Sequence, residues 1–222
     1  MRRPIQRRRV PAGLLALALL GAGCSLFTAQ PDLSRFFVLT ALPPAADAGS
    51  LPPLPGDVSV GLGPIHLPDY LSRPTIVTRT SETEIDPSGV DRWGEPLQNG
   101  VQRVLKSDLE QRLGTDRVIS FPWYSDVRPT YQIVIDVQRF ERDTSNAATL
   151  VAIWAIRDAT TKATLRNGST HLTLAAGSPG ISASVLAQSE TLRDLADVLG
   201  RAVVDFARTD RRPARARDGS ES

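Results

Sequence analysis

Tyr131-Gln132-Ile133-Val134-Ile135-Asp136-Val137-Gln138 decides the fold. Tyr131, Ile133, Ile135 and Val137 alternate with Gln132, Asp136 and Gln138, and a period of two turns one apolar strand face to a core and the other to water. The segments that follow carry the same signature. Leu150 to Arg157 and Thr170 to Ala175 read as two further strands joined through polar turns at Arg142 to Asn146 and Asp158 to Lys162. This part of the chain predicts an antiparallel meander.

Upstream, Arg35-Phe36-Phe37-Val38-Leu39-Thr40 reads as a strand by its aromatic and branched content. Pro43, Pro44, Pro52, Pro53 and Pro55 then make a loop near 43–56 that resists both helix and ladder. Val58 to Leu62 alternates at strand period, Pro64 to Tyr70 breaks it, and Thr75 to Arg79 resumes, so the two strands are expected to pair. Glu84 to Val90 predicts a short polar edge segment, and Arg117 to Phe121 a strand stopped by Pro122.

Two stretches switch to helical spacing. Leu97, Val101, Val104, Leu105, Leu109 and Leu113 recur at three and four, with Pro96 in the first turn and Gly114 as the stop. Val185, Leu192, Leu195, Leu199, Val203 and Phe206 line one face of a second long helix, opposite Glu190, Arg193, Asp194, Asp197 and Arg201. The fold class is therefore α+β: two layers, a mixed and mostly antiparallel sheet packed by two long helices.

The start of the chain predicts its address. Five arginines (Arg2, Arg3, Arg7, Arg8, Arg9) precede a short apolar run, Leu14 to Leu20, and the small residues Gly21, Ala22 and Gly23 lead to Cys24, the single cysteine. This is the layout of an export signal with lipid attachment at Cys24; Gly21 stands where such signals usually carry leucine. The expected organisation is a signal peptide over 1–23, a membrane tether over 24–33, one domain over 34–208 and a disordered basic tail over 209–222. Removing five arginines and no acids takes the formal charge from +2 to −3, so the pI near 9.0 misleads and nucleic acid is excluded as a partner.

Catalytic material is sparse. His66 and His171 are the only histidines, far apart and each beside apolar residues, which leaves little for a zinc site or a serine–histidine pair. No glycine-rich phosphate loop follows a strand, and no cofactor is called for. The most pointed cluster is Asp91-Arg92-Trp93-Gly94-Glu95-Pro96-Leu97. One reading is structural: Asp91 near a helix start, Arg92 paired with Asp91 or Glu95, Trp93 covering the sheet edge. The other makes Asp91, Arg92, Trp93 and Glu95 a partner-docking surface, since Trp and Arg concentrate at binding hot spots. The apolar face of the last helix likewise reads as core stripe or as a path for lipid.

Phe36-Phe37-Val38-Leu39, the run Val60 to Arg79 with Gly63-Pro64-Ile65-His66-Leu67-Pro68, Asp91 to Leu97, and Asp136-Val137-Gln138-Arg139-Phe140 together resemble the PqiC family of ABC-type transport auxiliary lipoproteins. Family members often have alanine where this chain has Gly94, which should loosen the first helical turn. The resemblance implies a non-catalytic lipoprotein at the periplasmic face of the outer membrane, anchored through acylated Cys24. It further implies an MCE-domain protein of a lipid transport system as partner and a ring-shaped homo-oligomer. Two alternatives stand beside it: an envelope lipoprotein that braces a complex without handling lipid, and a membrane-anchored hydrolase.

Overall fold

The computed structural model describes residues 32–56, 58–124 and 126–209. The signal peptide, Cys24, most of the tether and the tail from residue 210 lie outside the described residues.

The organising element is β6, Tyr131–Asp143. At ~3.3 Å per residue its 13 residues make a strand some ~40 Å long, longer than most of its neighbours can cover. On one side it pairs antiparallel with β7 (Ala148–Asp158), from Tyr131↔Asp158 to Arg142↔Ala148, and β7 pairs antiparallel with β8 (Thr164–Leu174). These long ladders are the expected meander. A register shift between Val137 and Arg139 ends the strict alternation read from the sequence.

The other side of β6 differs from expectation. β2 (Val60–His66) and β3 (Thr75–Arg79) do not pair with each other. Both run parallel to β6, β2 against Tyr131 to Asp136 and β3 against Arg142 and Asp143. A hairpin needs the chain to reverse; here Pro68 and Pro74 only interrupt it, around a 3-10 turn at Asp69–Leu71, and it resumes in the same direction. β5 (Val118–Ser120) adds parallel to β2, β4 (Ile85–Trp93) antiparallel to β3, and β1 (Arg35–Phe37) parallel to β4. The result is an open mixed sheet of eight strands in an α+β fold.

Helix α1 spans Leu97–Leu113 and α2 spans Ile181–Thr209. Gly114 ends α1 at φ +60°, a left-handed cap that suits glycine. Leu97, Val101, Val104, Leu105 and Leu109 from α1 meet Leu192, Leu195, Leu199 and Val203 from α2 over Val60, Leu62, Ile133, Ile135, Leu150 and Ile156 of the sheet, all in one core. The apolar stripe of α2 is thus spent on this core. Residues 38–56 form no helix or strand. Side chains of α1, α2 and residue 117 fasten this strap instead: Ser189 Oγ accepts from Thr40 N (3.2 Å), Arg112 donates to Gly49 O (2.6 Å), and Arg117 to Gly56 O (2.7 Å).

Candidate functional site

The Asp91 to Leu97 cluster straddles two elements: Asp91 to Trp93 end strand β4, and α1 starts at Leu97 behind Pro96. β4 continues through Trp93, three residues beyond the expected end at Val90, because the parallel strand β1 gives Asp91, Arg92 and Trp93 ladder partners in Arg35, Phe36 and Phe37. Period two then sorts the residues. Arg35, Phe37, Asp91 and Trp93 share the inward face; Phe36 and Arg92 share the outward one.

Asp91 is 5 % exposed. Its Oδ1 accepts from Arg35 Nε (2.8 Å) and faces Arg35 Nη2 at 2.6 Å, while Oδ2 accepts from Ser88 Oγ (3.0 Å). Asp91 therefore pins the edge strand β1 rather than capping a helix, and Arg35, not Arg92, is its cation. Arg92 donates to Ser34 Oγ (3.2 Å). Trp93 is 7 % exposed and belongs to the core, with its backbone N–H donated to Pro74 O (2.7 Å). Glu95 pairs with Arg103 Nη2 at 2.5 Å, and the same guanidinium donates to Leu39 O (2.9 Å). Gly94 lies between β4 and α1, outside the helix; a Cβ there would meet Val38 Cγ1 at 3.0 Å. Its role is close approach to Phe37 and Val38 at the end of β1, and the first helical turn is not loosened by it.

The face that remains accessible is apolar with a basic rim. Phe36 is 65 % exposed, Val38 56 %, and Val90 is exposed on the irregular part of β4. Arg92 stands in register beside Phe36, and Arg35 is largely exposed beyond its ion pair. Of the four predicted docking residues, Arg92 stands on this surface beside Phe36, Glu95 is partly exposed and tied to Arg103, and Asp91 and Trp93 are buried. Phe36 and Val38 were legible as an outward pair only once β1 was known to be an edge.

A second constellation was not foreseen. Glu141, 1 % exposed, accepts from Tyr70 Oη (2.7 Å), Arg79 Nε (2.5 Å) and Arg139 Nε (2.9 Å). Burial pushes its carboxyl up, but hydrogen bonds from Arg79, Tyr70 and Arg139 with the charge of Arg79 outweigh burial and hold it below the usual range. Burial, reinforced by Glu141, pushes the Tyr70 hydroxyl up to about 12, and the Glu141 hydrogen bond raises Arg79. The network ties the 3-10 turn and β3 to β6, which explains how the interrupted edge stays on one ladder. His66 and His171 stand on β2 and β8, opposite Asp136 and Val151 respectively, and among the described residues no group of His, Cys, Asp or Glu is arranged to hold a metal.

The family model described as the ABC-type transport auxiliary lipoprotein component matches residues 37–199. The chain belongs to this family. The matched span runs from the end of β1 through most of α2 and includes the Asp91 to Leu97 stretch and the Glu141 network. Among solved structures, a protein from Xanthomonas campestris described under the DUF330 family is 15 % identical with a TM-score of 0.66, covering 80 % of this chain and 98 % of that one. An uncharacterised protein is 17 % identical with a TM-score of 0.63, covering 77 % and 98 %. At such identities the likeness is one of fold. No curated protein matches by sequence. Family membership makes the chain a lipoprotein accessory of a transport system.

Proposed function

We propose that this lipoprotein docks the periplasmic MCE assembly of a lipid transport system at the outer membrane and helps pass phospholipid. Acylation of Cys24 confines the domain to the membrane, where each buried methylene contributes ~0.8 kcal/mol and more than one chain anchors stably. Confinement raises the local concentration of subunits, so that modest side-to-side contacts close a homo-oligomeric ring. The observation that carries the docking reading is the outward face of β1 and β4, with Phe36, Val38 and Val90 exposed beside Arg92. Large apolar side chains rimmed by arginine are the composition of a binding hot spot, and a monomer gains nothing from leaving them in water.

The test is capture of an MCE-domain protein by the membrane-extracted lipoprotein. Phe36→Ser with Val38→Ser, and separately Arg92→Glu, should weaken capture at least tenfold while thermal unfolding stays within a few degrees of wild type. Normal capture by both variants refutes the docking face. Cys24→Ser should release the protein from the membrane fraction, and retention there would refute the anchor.

A further inference from the structure

Two charged residues occupy the buried stripe of α1. Asp108 and Arg112 follow Leu105 and Leu109 at helical spacing, and both are buried. They line a cavity of about 400 Å³ between α1, α2 and the strap, within the size range of small-molecule sites. Leu42, Pro44 and Val198 supply apolar wall.

The polar groups of this cavity are unevenly satisfied. Arg112 pairs with Asp197 and donates to Gly49 O and Ala48 O. Arg201 pairs with the same Asp197 and donates to Ala48 O. Arg193 pairs with Asp194 at 3.0 Å. Every guanidinium is committed. Asp108 is different: it is 2 % exposed, its Oδ1 accepts from Leu42 N (2.9 Å), and its Oδ2 has no hydrogen-bond partner among the described residues. The Arg193 charge acts on this carboxyl without bonding to it, and burial still raises it to about 6. A buried carboxylate oxygen without a donor is costly, and what it lacks is a cation that brings its own N–H.

We propose that this cavity binds a primary ammonium group, seated on Asp108 Oδ2 beneath the strap, on a ligand no larger than a lipid head group. Anions are disfavoured, because the carboxylates of Asp47, Asp108, Asp194 and Asp197 outnumber the three arginines. A quaternary ammonium is also disfavoured, since it carries no N–H for the lone oxygen. The site lies on the helical layer and stands independently of the docking face of β1.

The probes are ethanolamine and choline, titrated calorimetrically into the full-length lipoprotein at pH 7.5. Ethanolamine should bind saturably and choline should not. Asp108→Asn, which keeps an acceptor for Leu42 N, should weaken binding at least tenfold, in line with loss of a charge-assisted hydrogen bond. Val198→Phe, which fills the cavity without touching Asp108, should do the same. Vesicles of phosphatidylethanolamine, against phosphatidylcholine controls, separate the sources: competition with the soluble amine assigns the ligand to a lipid head group, and its absence assigns it to a free amine. No saturable amine binding by on the order of 10 mM, equal binding by choline, or undiminished binding in Asp108→Asn or Val198→Phe overturns the proposal.

Discussion

Asp108→Asn should make this protein more stable at pH 8 and slightly less stable at pH 4. Folding raises the carboxyl from the ordinary 3.8 to about 6, through burial that the Leu42 amide and the Arg193 charge only partly offset. The folded state therefore holds this proton more tightly than the unfolded chain, and stability falls as pH rises from about 4 to about 6. Above pH 6 the loss is complete and amounts to roughly 3 kcal/mol. Asparagine removes that term while its Oδ1 still accepts from Leu42 N; its amide takes the place of the unbonded Oδ2 and returns about 1 kcal/mol of unsatisfied donor. The net expectation at pH 8 is a gain of about 1–2 kcal/mol, or roughly 3–6 °C in Tm for a unit of this size. The other charged groups around the cavity, Asp47, Arg112, Arg193, Asp194, Asp197 and Arg201, are common to both proteins, so the difference between them isolates Asp108. The assay is thermal unfolding by circular dichroism of wild type and variant from pH 4 to pH 8. A variant less stable than wild type at pH 8, or an advantage that grows toward pH 4, refutes the reasoning. A carboxylate kept at such a cost points to use rather than to architecture.

Glu141→Gln should cost about 3 kcal/mol at pH 7, by leaving Arg79 without its buried counter-charge; because Glu141 is held low in the fold, wild type alone should lose this stability as pH falls below the ordinary carboxylate range, which acid titration of Tm would show. Gly168→Ala should destabilise by about 1–3 kcal/mol in chemical denaturation, since its Cβ would stand 2.6 Å from Trp154 Cζ2, a rigid indole also held by Thr170. Trp93→Ala should cost about 3–5 kcal/mol because the ring is core, whereas Arg92→Glu should leave unfolding nearly unmoved and act on partner capture alone; equal stability losses would deny that the strand sorts these neighbours to opposite faces.

Much of the architecture was legible because its signals are local. Helix α1 announces its stripe and its glycine stop, α2 its single apolar face, and β6, β7 and β8 their alternation and polar turns. The charged pair Asp108 and Arg112 is legible too, since both sit in register with Leu105 and Leu109 on the buried stripe. Pro96 and the α1 stripe mark a helix start that the structure places at Leu97, but they say nothing of the strand that ends at Trp93. What kept Asp91 to Trp93 in a strand was Arg35 to Phe37, more than fifty residues earlier.

The sequence by itself determined the class of elements, the family, and the expectation of an export leader ending at Cys24, because periodicity, turn chemistry and motif spacing are properties of neighbours along the chain. Only the tertiary structure decided that β2 and β3 share one edge of β6, that Trp93 faces the core while Phe36 and Arg92 face water, and that Asp108 keeps an oxygen without a donor. Each of these depends on which distant backbone supplies a ladder or a strap, and pairing across such separations leaves no local trace in composition or period.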